Sequence, residues 1–254
     1  MRLGRVLPTC CLIGTACSQS KFKIMPLGDS ITEITCWRAK LWNNLKASNL
    51  TDKIEFVGSV NNTQSCDTAD AEFATQHHEG HTGYLAIDVA YDHIDKWLDG
   101  ARPDVVTFML GTDDVARGRR IEDVVEAYSN MVRSMRKYNA GVRVVVRSRL
   151  VPSRHTFLLA STSTHDEQVN TVVPLPANMA PVERLNDMIP DWAAEMNTTE
   201  SPVYVDDIYP FPNAFLKDGI HPNEQGEDRI AEGLTSLLTW IVGADSTGGS
   251  AASG

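Results

Sequence analysis

The chain has 254 residues, 42% of them hydrophobic, which is enough to bury one sizeable core without requiring a second domain. Its 23 Lys and Arg against 33 Asp and Glu leave a net charge of −10, with no basic stripe to hold phosphates. That balance argues against a nucleic-acid partner and favours an uncharged substrate. At the N-terminus, Arg2 and Arg5 precede an apolar run from Val6 to Ala16 and then small and polar residues, the pattern of a secretory signal peptide over residues 1–17. The run is too short to span a bilayer, so no membrane association is expected after cleavage. Cleavage leaves Cys36 and Cys66, which in an oxidising compartment are expected to form one disulfide; two separate buried thiols are the alternative. Asn49-Leu50-Thr51, Asn61-Asn62-Thr63 and Asn197-Thr198-Thr199 are glycosylation sequons, compatible with secretion.

Five apolar runs of strand length then follow: Phe22 to Leu27, Ile54 to Val57, Val105 to Leu110, Val142 to Val146 and Val203 to Val205. Helical patterns separate them, an alternation that predicts βαβ units and a parallel sheet covered on both faces. The segment from Cys36 to Leu45 reads as the helix after the first strand. Ile121, Val124, Val125, Tyr128, Val132 and Met135 form one helical stripe, and Ile230, Leu234, Leu237, Leu238 and Ile241 another. A single domain over residues 21–242 is expected, followed by a flexible Gly- and Ser-rich tail or linker over 243–254. The polar stretch from Ser153 to Pro181 is long for an uninterrupted loop and reads either as a rim over a groove or as surface decoration.

In a parallel sheet the ligand crevice lies beyond the carboxyl ends of the strands. After the first strand comes Gly28-Asp29-Ser30, a tight turn that exposes a hydroxyl beside backbone N–H groups, as nucleophilic attack and oxyanion binding require. After the fifth comes Asp218-Gly219-Ile220-His221-Pro222-Asn223, with Asn223 placed to cap the last helix. A carboxylate three residues before an imidazole can fix its tautomer and stabilise the imidazolium formed when it takes a proton from a serine.

Four blocks in order, Ile24 to Glu33, His78 to Tyr84, Phe108 to Asp114 and Asp218 to Pro222, resemble the SGNH or GDSL hydrolase superfamily. The segments Ser30 to Trp42 and His78-Glu79-Gly80-His81 are most similar to carbohydrate esterase family three, the acetyl xylan esterases. The resemblance implies a three-layer α/β/α sandwich with a five-stranded parallel sheet of flavodoxin type. It implies removal of acetyl groups from a plant-wall polysaccharide, without an organic cofactor; a monomer is expected, and no residue is assigned to a metal. Carried over, Ser30 is nucleophile, His221 general base and Asp218 its orienting partner, with Asp29 and Asp114 in support. Ser30 and Gly83 supply backbone N–H groups to the oxyanion hole.

The third oxyanion donor of the family is an Asn side chain, and here that position is Asp113. An ionised carboxylate only accepts hydrogen bonds and repels a developing oxyanion, so weakened catalysis is expected. A protonated Asp113 would still donate, and burial beside Asp114 would favour that form. Two readings of Arg147 and Arg149, after the fourth strand, stay open: one of them pairs with Asp113 and holds it ionised, or the strand ends at Val146 and both are solvated. Two further readings stay open: a catalytically silent carbohydrate binder, and a GDSL lipase or thioesterase acting on longer acyl chains. His77, His78 and His81 read as groove and loop residues rather than metal ligands. Tyr84, Trp192 and Tyr204 are candidates for sugar stacking, with core packing the commoner fate.

Overall fold

The strands are, in chain order, β1 (Phe22–Gly28), β2 (Ile54–Phe56), β3 (Val60–Asn61), β4 (His77–Gly80), β5 (Val105–Met109), β6 (Arg143–Arg147) and β7 (Val203–Asp206), as given by a computed structural model. It describes residues 20–62, 66–67, 70–147, 180–208 and 211–248. The signal-peptide segment, Arg149, residues 153–179 of the polar stretch and the chain end from 249 lie outside them.

All five apolar runs are strands of one sheet, and β1, β5, β6 and β7 pair in parallel in that order. The other edge of β1 is shared. Its first half pairs with β2, Phe22 opposite Ile54, and its last two residues pair with β4, Leu27 opposite Glu79 and Gly28 opposite Gly80. The short β3 adds an antiparallel contact outside β4. Among the described residues the sheet thus has seven strands rather than five; the two additions carry few apolar side chains and are held by main-chain pairing.

Alternate residues of the central strands face opposite layers. Met25, Leu27, Val106, Phe108, Val144 and Val146 enter one buried cluster, while Ile24, Val105, Met109 and Val145 enter the other. This is the period of two expected for a sheet covered on both sides. The short α1 (Ser30–Glu33) follows β1, and then α2 (Trp37–Ala47). One long helical stretch follows β4, comprising α3 (Ala86–Asp88), a π turn (Val89–His93) and α4 (Ile94–Ala101). Next come α5 (Thr112–Ala116), α6 (Ile121–Tyr138), α7 (Ala180–Met196) and α8 (Glu224–Gly248). Helix α2 packs on α8 against one face, and α4, α6 and α7 cover the other. The result is an α/β/α sandwich.

Cys36 and Cys66 form a disulfide with Cα atoms 5.7 Å apart, fastening the start of α2 to the connection between β3 and β4. Helix α8 continues to Gly248, so residues 243–248, expected as tail, are helical. Extending an existing helix fixes fewer dihedrals per hydrogen bond than starting one, and this lets a weak helix former such as Ser or Thr join the end.

Candidate active site

Parallel register brings the turns at the carboxyl ends of β1, β4 and β5 side by side. Gly28 pairs with Gly80 on one side and Met109 on the other, so the residues just beyond each, Ser30, Gly83 and Asp113, rise from three adjacent rows. Ser30 opens α1. Asp29 caps that helix by accepting from the Ile31 N–H at 2.9 Å and is fully buried, and Ser30 is 9% exposed. The first turn of a helix has amide N–H groups with no partner inside the helix, which suits the Ser30 N–H to an incoming oxyanion.

The partner imidazole arrives from the other end of the chain. Gly219, at φ +84°, turns the backbone in the left-handed region, so that Asp218 Oδ1 accepts from the N–H groups of Ile220 at 3.0 Å and His221 at 2.7 Å. Asp218 Oδ2 then lies 2.7 Å from His221 Nδ1, and His221 Nε2 lies 2.9 Å from Ser30 Oγ. Burial pushes the Asp218 carboxyl upward, but the two backbone N–H groups and the His221 ring outweigh it and hold the group down at about 2. It is ionised wherever the protein is folded in ordinary buffers. Asn223 Oδ1 accepts from Gln225 N and Gly226 N at 3.1 and 3.2 Å, capping α8 as its position suggests.

The loop from Gly80 to Tyr84 is clamped at each step. His81 N donates to Gly28 O at 2.9 Å, and Thr82 N to Glu33 Oε2 at 2.5 Å. Arg117 Nη2 donates to Gly83 O at 2.9 Å, with Gly83 at φ +78°. The ring of His81 stacks on both Tyr84 and Trp97, at centroid distances of 4.8 and 4.6 Å, and its Nε2 meets Glu79 Oε1 at 2.7 Å. Glu79 is fully buried and also accepts from Ser59 N and Oγ, at 2.7 and 2.6 Å. His78 Nδ1 accepts from Gly80 N at 3.0 Å. Burial, followed by the charges of Arg38, His81 and His77, lowers the His78 ring to about 3, so it stays neutral. These imidazoles are therefore committed to shaping the loop. Tyr84, half-buried on His81, borders the site, whereas Trp192 is core, donating to Ser129 Oγ at 2.9 Å, and Tyr204 packs on Trp240.

Asp113 is half-buried in the first turn of α5. Asp114 turns away from it. Its fully buried carboxylate accepts from Ala86 N at 2.7 Å and Ile87 N at 3.3 Å, holding the start of α3, although burial raises its pKa. Arg147 does not pair with Asp113. It continues β6 and pairs with Asp206, its register partner on β7, donates to Ile230 O at 2.8 Å and lies over the Trp37 ring. A buried guanidinium takes the nearest buried carboxylate, and the strand register supplies Asp206.

Sequence reasoning passed over the residues behind the nucleophile. Arg38, 2% exposed, donates to Thr32 O at 2.6 Å and Glu33 O at 3.0 Å, and also to Asn62 Oδ1. It thereby holds the last carbonyls of α1. Burial lowers its pKa to about 10, with Glu33 opposing, so the guanidinium keeps its charge. An arginine in the apolar stripe of α2 was the available signal.

A hydroxyl, an imidazole and a carboxylate in one hydrogen-bonded line, beside amide donors at helix and loop termini, is the equipment of an acyl hydrolase. The sequence pattern of the GDSL-like lipase/acylhydrolase family matches residues 27–229. The chain belongs to that family. No curated protein matches it. Among solved structures, a carbohydrate esterase family 3 protein from Talaromyces cellulolyticus is 35% identical, with a TM-score of 0.74 over 88% of this chain and 99% of that one. A mutant acetyl esterase determined with an acetate ion is 34% identical over the same shares, also at 0.74. A family 3 carbohydrate esterase from Clostridium thermocellum shares the fold at 22% identity and a TM-score of 0.67, covering 89% of this chain and 98% of that one. This GDSL family member is accordingly an esterase. Among the described residues, no helix is long and apolar enough to cross a membrane.

Proposed function

We propose that this protein is a secreted carbohydrate esterase that removes acetyl groups from a xylan-type plant-wall polysaccharide. The observation that carries the catalytic part is the 2.9 Å approach of His221 Nε2 to Ser30 Oγ, with Asp218 on the opposite ring nitrogen. The two relatives above 30% identity, a carbohydrate esterase and an acetyl esterase, support a short acyl group on a sugar. The arginine- and apolar-rich N-terminus, the Cys36–Cys66 disulfide and exposed Asn49, Asn61 and Asn197 in their sequons support secretion.

In this reading Ser30 Oγ attacks the acetyl carbonyl while His221 Nε2 takes its proton. The tetrahedral oxyanion is met by the N–H groups of Ser30 and Gly83. Collapse breaks the ester bond, His221 returns the proton to the departing sugar oxygen, and water repeats the sequence on the acyl-enzyme to release acetate. Asp113 supplies no donor when ionised, so turnover runs below what an Asn would allow, with a typical loss of about 10²–10³ in kcat for one missing donor. The test is acetate release from acetylated xylan, and hydrolysis of p-nitrophenyl acetate against the octanoate ester. Parent activity on the acetyl substrates should fall by about 10⁶ in Ser30→Ala. Equal activity of parent and Ser30→Ala would end the proposal, and preference for octanoate would replace the acetyl reading with a lipase.

A further inference from the structure

We propose that Arg117 is a positioning residue of the oxyanion hole, locking Gly83 and setting a cation opposite Asp113; the inference rests on the esterase reading above. Three observations converge on it. Arg117 stands one helical turn after Asp113, closing α5, where its own N–H donates to Asp113 O at 3.0 Å. Residues four apart on a helix share a face, so Arg117 and Asp113 leave α5 on the same side, where the guanidinium bonds the β4 loop rather than the carboxylate itself. The helix stops immediately afterwards at Gly118, φ +69°, whose N–H donates to Val115 O at 3.0 Å while Arg119 N donates to Asp114 O at 2.9 Å. Such a left-handed terminus, open to glycine without strain, fixes the backbone from which Arg117 springs.

The side chain spans the crevice from α5 to the β4 loop. Its Nη2 donates to Gly83 O at 2.9 Å, and a Cβ built on Gly83 would lie 3.5 Å from the same nitrogen. In the esterase reading the Gly83 N–H is the second oxyanion donor, and the hydrogen bond to the Gly83 carbonyl holds the peptide plane after the Cα, which narrows the rotation open to this glycine about the bond to its own N–H. A guanidinium at this point also offsets the charge that Asp113 brings to a place where a second negative charge must develop. Arg117 is exposed, and an exposed contact of this kind adds little to folding stability. Its effect should therefore be read in turnover and not in melting.

The experiment uses five proteins: the parent, Arg117→Ala, Asp113→Asn, the double variant, and Arg117→Lys as the conservative exchange. In the parent background Arg117→Ala should lower kcat on p-nitrophenyl acetate about tenfold, leave KM unchanged and leave Tm within about 2 °C. Arg117→Lys should recover part of the loss. In the Asp113→Asn background the same removal should cost only about threefold, because the charge to be offset is gone. An equal loss in both backgrounds, or none in the parent, overturns the proposal. Should the parent show no Ser30-dependent turnover, the esterase reading fails, and the amide resonances of Gly83 and Tyr84 decide on Arg117 independently. They should move in Arg117→Ala, and if they stay in place, the clamp is refuted.

Discussion

The two halves of the hydrogen-bonded pair Ser30 and His221 are positioned by different means. Ser30 rises from a fully buried strand end, with Asp29 and Thr32 also fully buried beside it and Arg38 holding the carbonyls behind. His221 and Asp218 sit on a surface turn in which the Asp218 side chain is 49% exposed and the hydrogen bonds run within four consecutive residues. An isolated bridge between Leu216 and Pro222 and the Asn223 cap tie that turn to α8. The proposed nucleophile is thus a product of the core, and the proposed base a self-contained local structure. Disturbing the first should register in stability as well as rate, and disturbing the second in rate alone.

The sharpest separation comes from Asp218→Asn. It leaves the turn and the fold in place but removes the charge that orients His221, so kcat should fall about 10⁴-fold while Tm barely moves, as steady-state kinetics and calorimetry will show. Asp113→Asn acts in the opposite direction. With a donor restored, kcat should rise by about 10²–10³, and an unchanged rate would show that this side chain does not reach the oxyanion.

On the core side, Arg38→Met leaves the Thr32 and Glu33 carbonyls without their buried donor. A loss of about 3 kcal/mol, or roughly 6–12 °C in Tm, is expected, together with a fall in kcat as α1 loosens. A drop in rate with unchanged Tm would contradict the division drawn above.

The smallest effect concerns acid. The folded Asp218 carboxyl, held at about 2, lies below its unfolded value of roughly 3.9. The unfolded chain therefore binds more protons across that interval, and stability falls as the pH drops through it. Asp218→Asn should flatten this acid limb slightly in urea titrations below pH 4, by little because the side chain is half exposed.

How much of this was legible in the sequence follows the same division. The strands β1, β5, β6 and β7 announce themselves as apolar runs because burial on both faces demands apolar residues. The Gly-Asp-Ser and Asp-x-x-His segments are legible because their geometry is local. Strand β4 is not, since His77-His78-Glu79-Gly80 has no apolar pattern and its buried His78 and Glu79 are satisfied by Gly80, Ser59 and His81. Arg38 and Arg117 act through residues distant in sequence, which no spacing rule reveals. Helix α7 carried a readable stripe in Val182, Leu185, Ile189, Trp192 and Ala193, overlooked beside the polar segment before it.

Because β4 meets β1 through main-chain pairing at Gly28 and Gly80, the spacing of the two turns that follow is gauged by peptide geometry, and a Cβ at Gly28 or Gly80 would collide with Thr32 or Glu33 and upset it. The two strand ends thus act as a ruler whose marks are a pair of glycines.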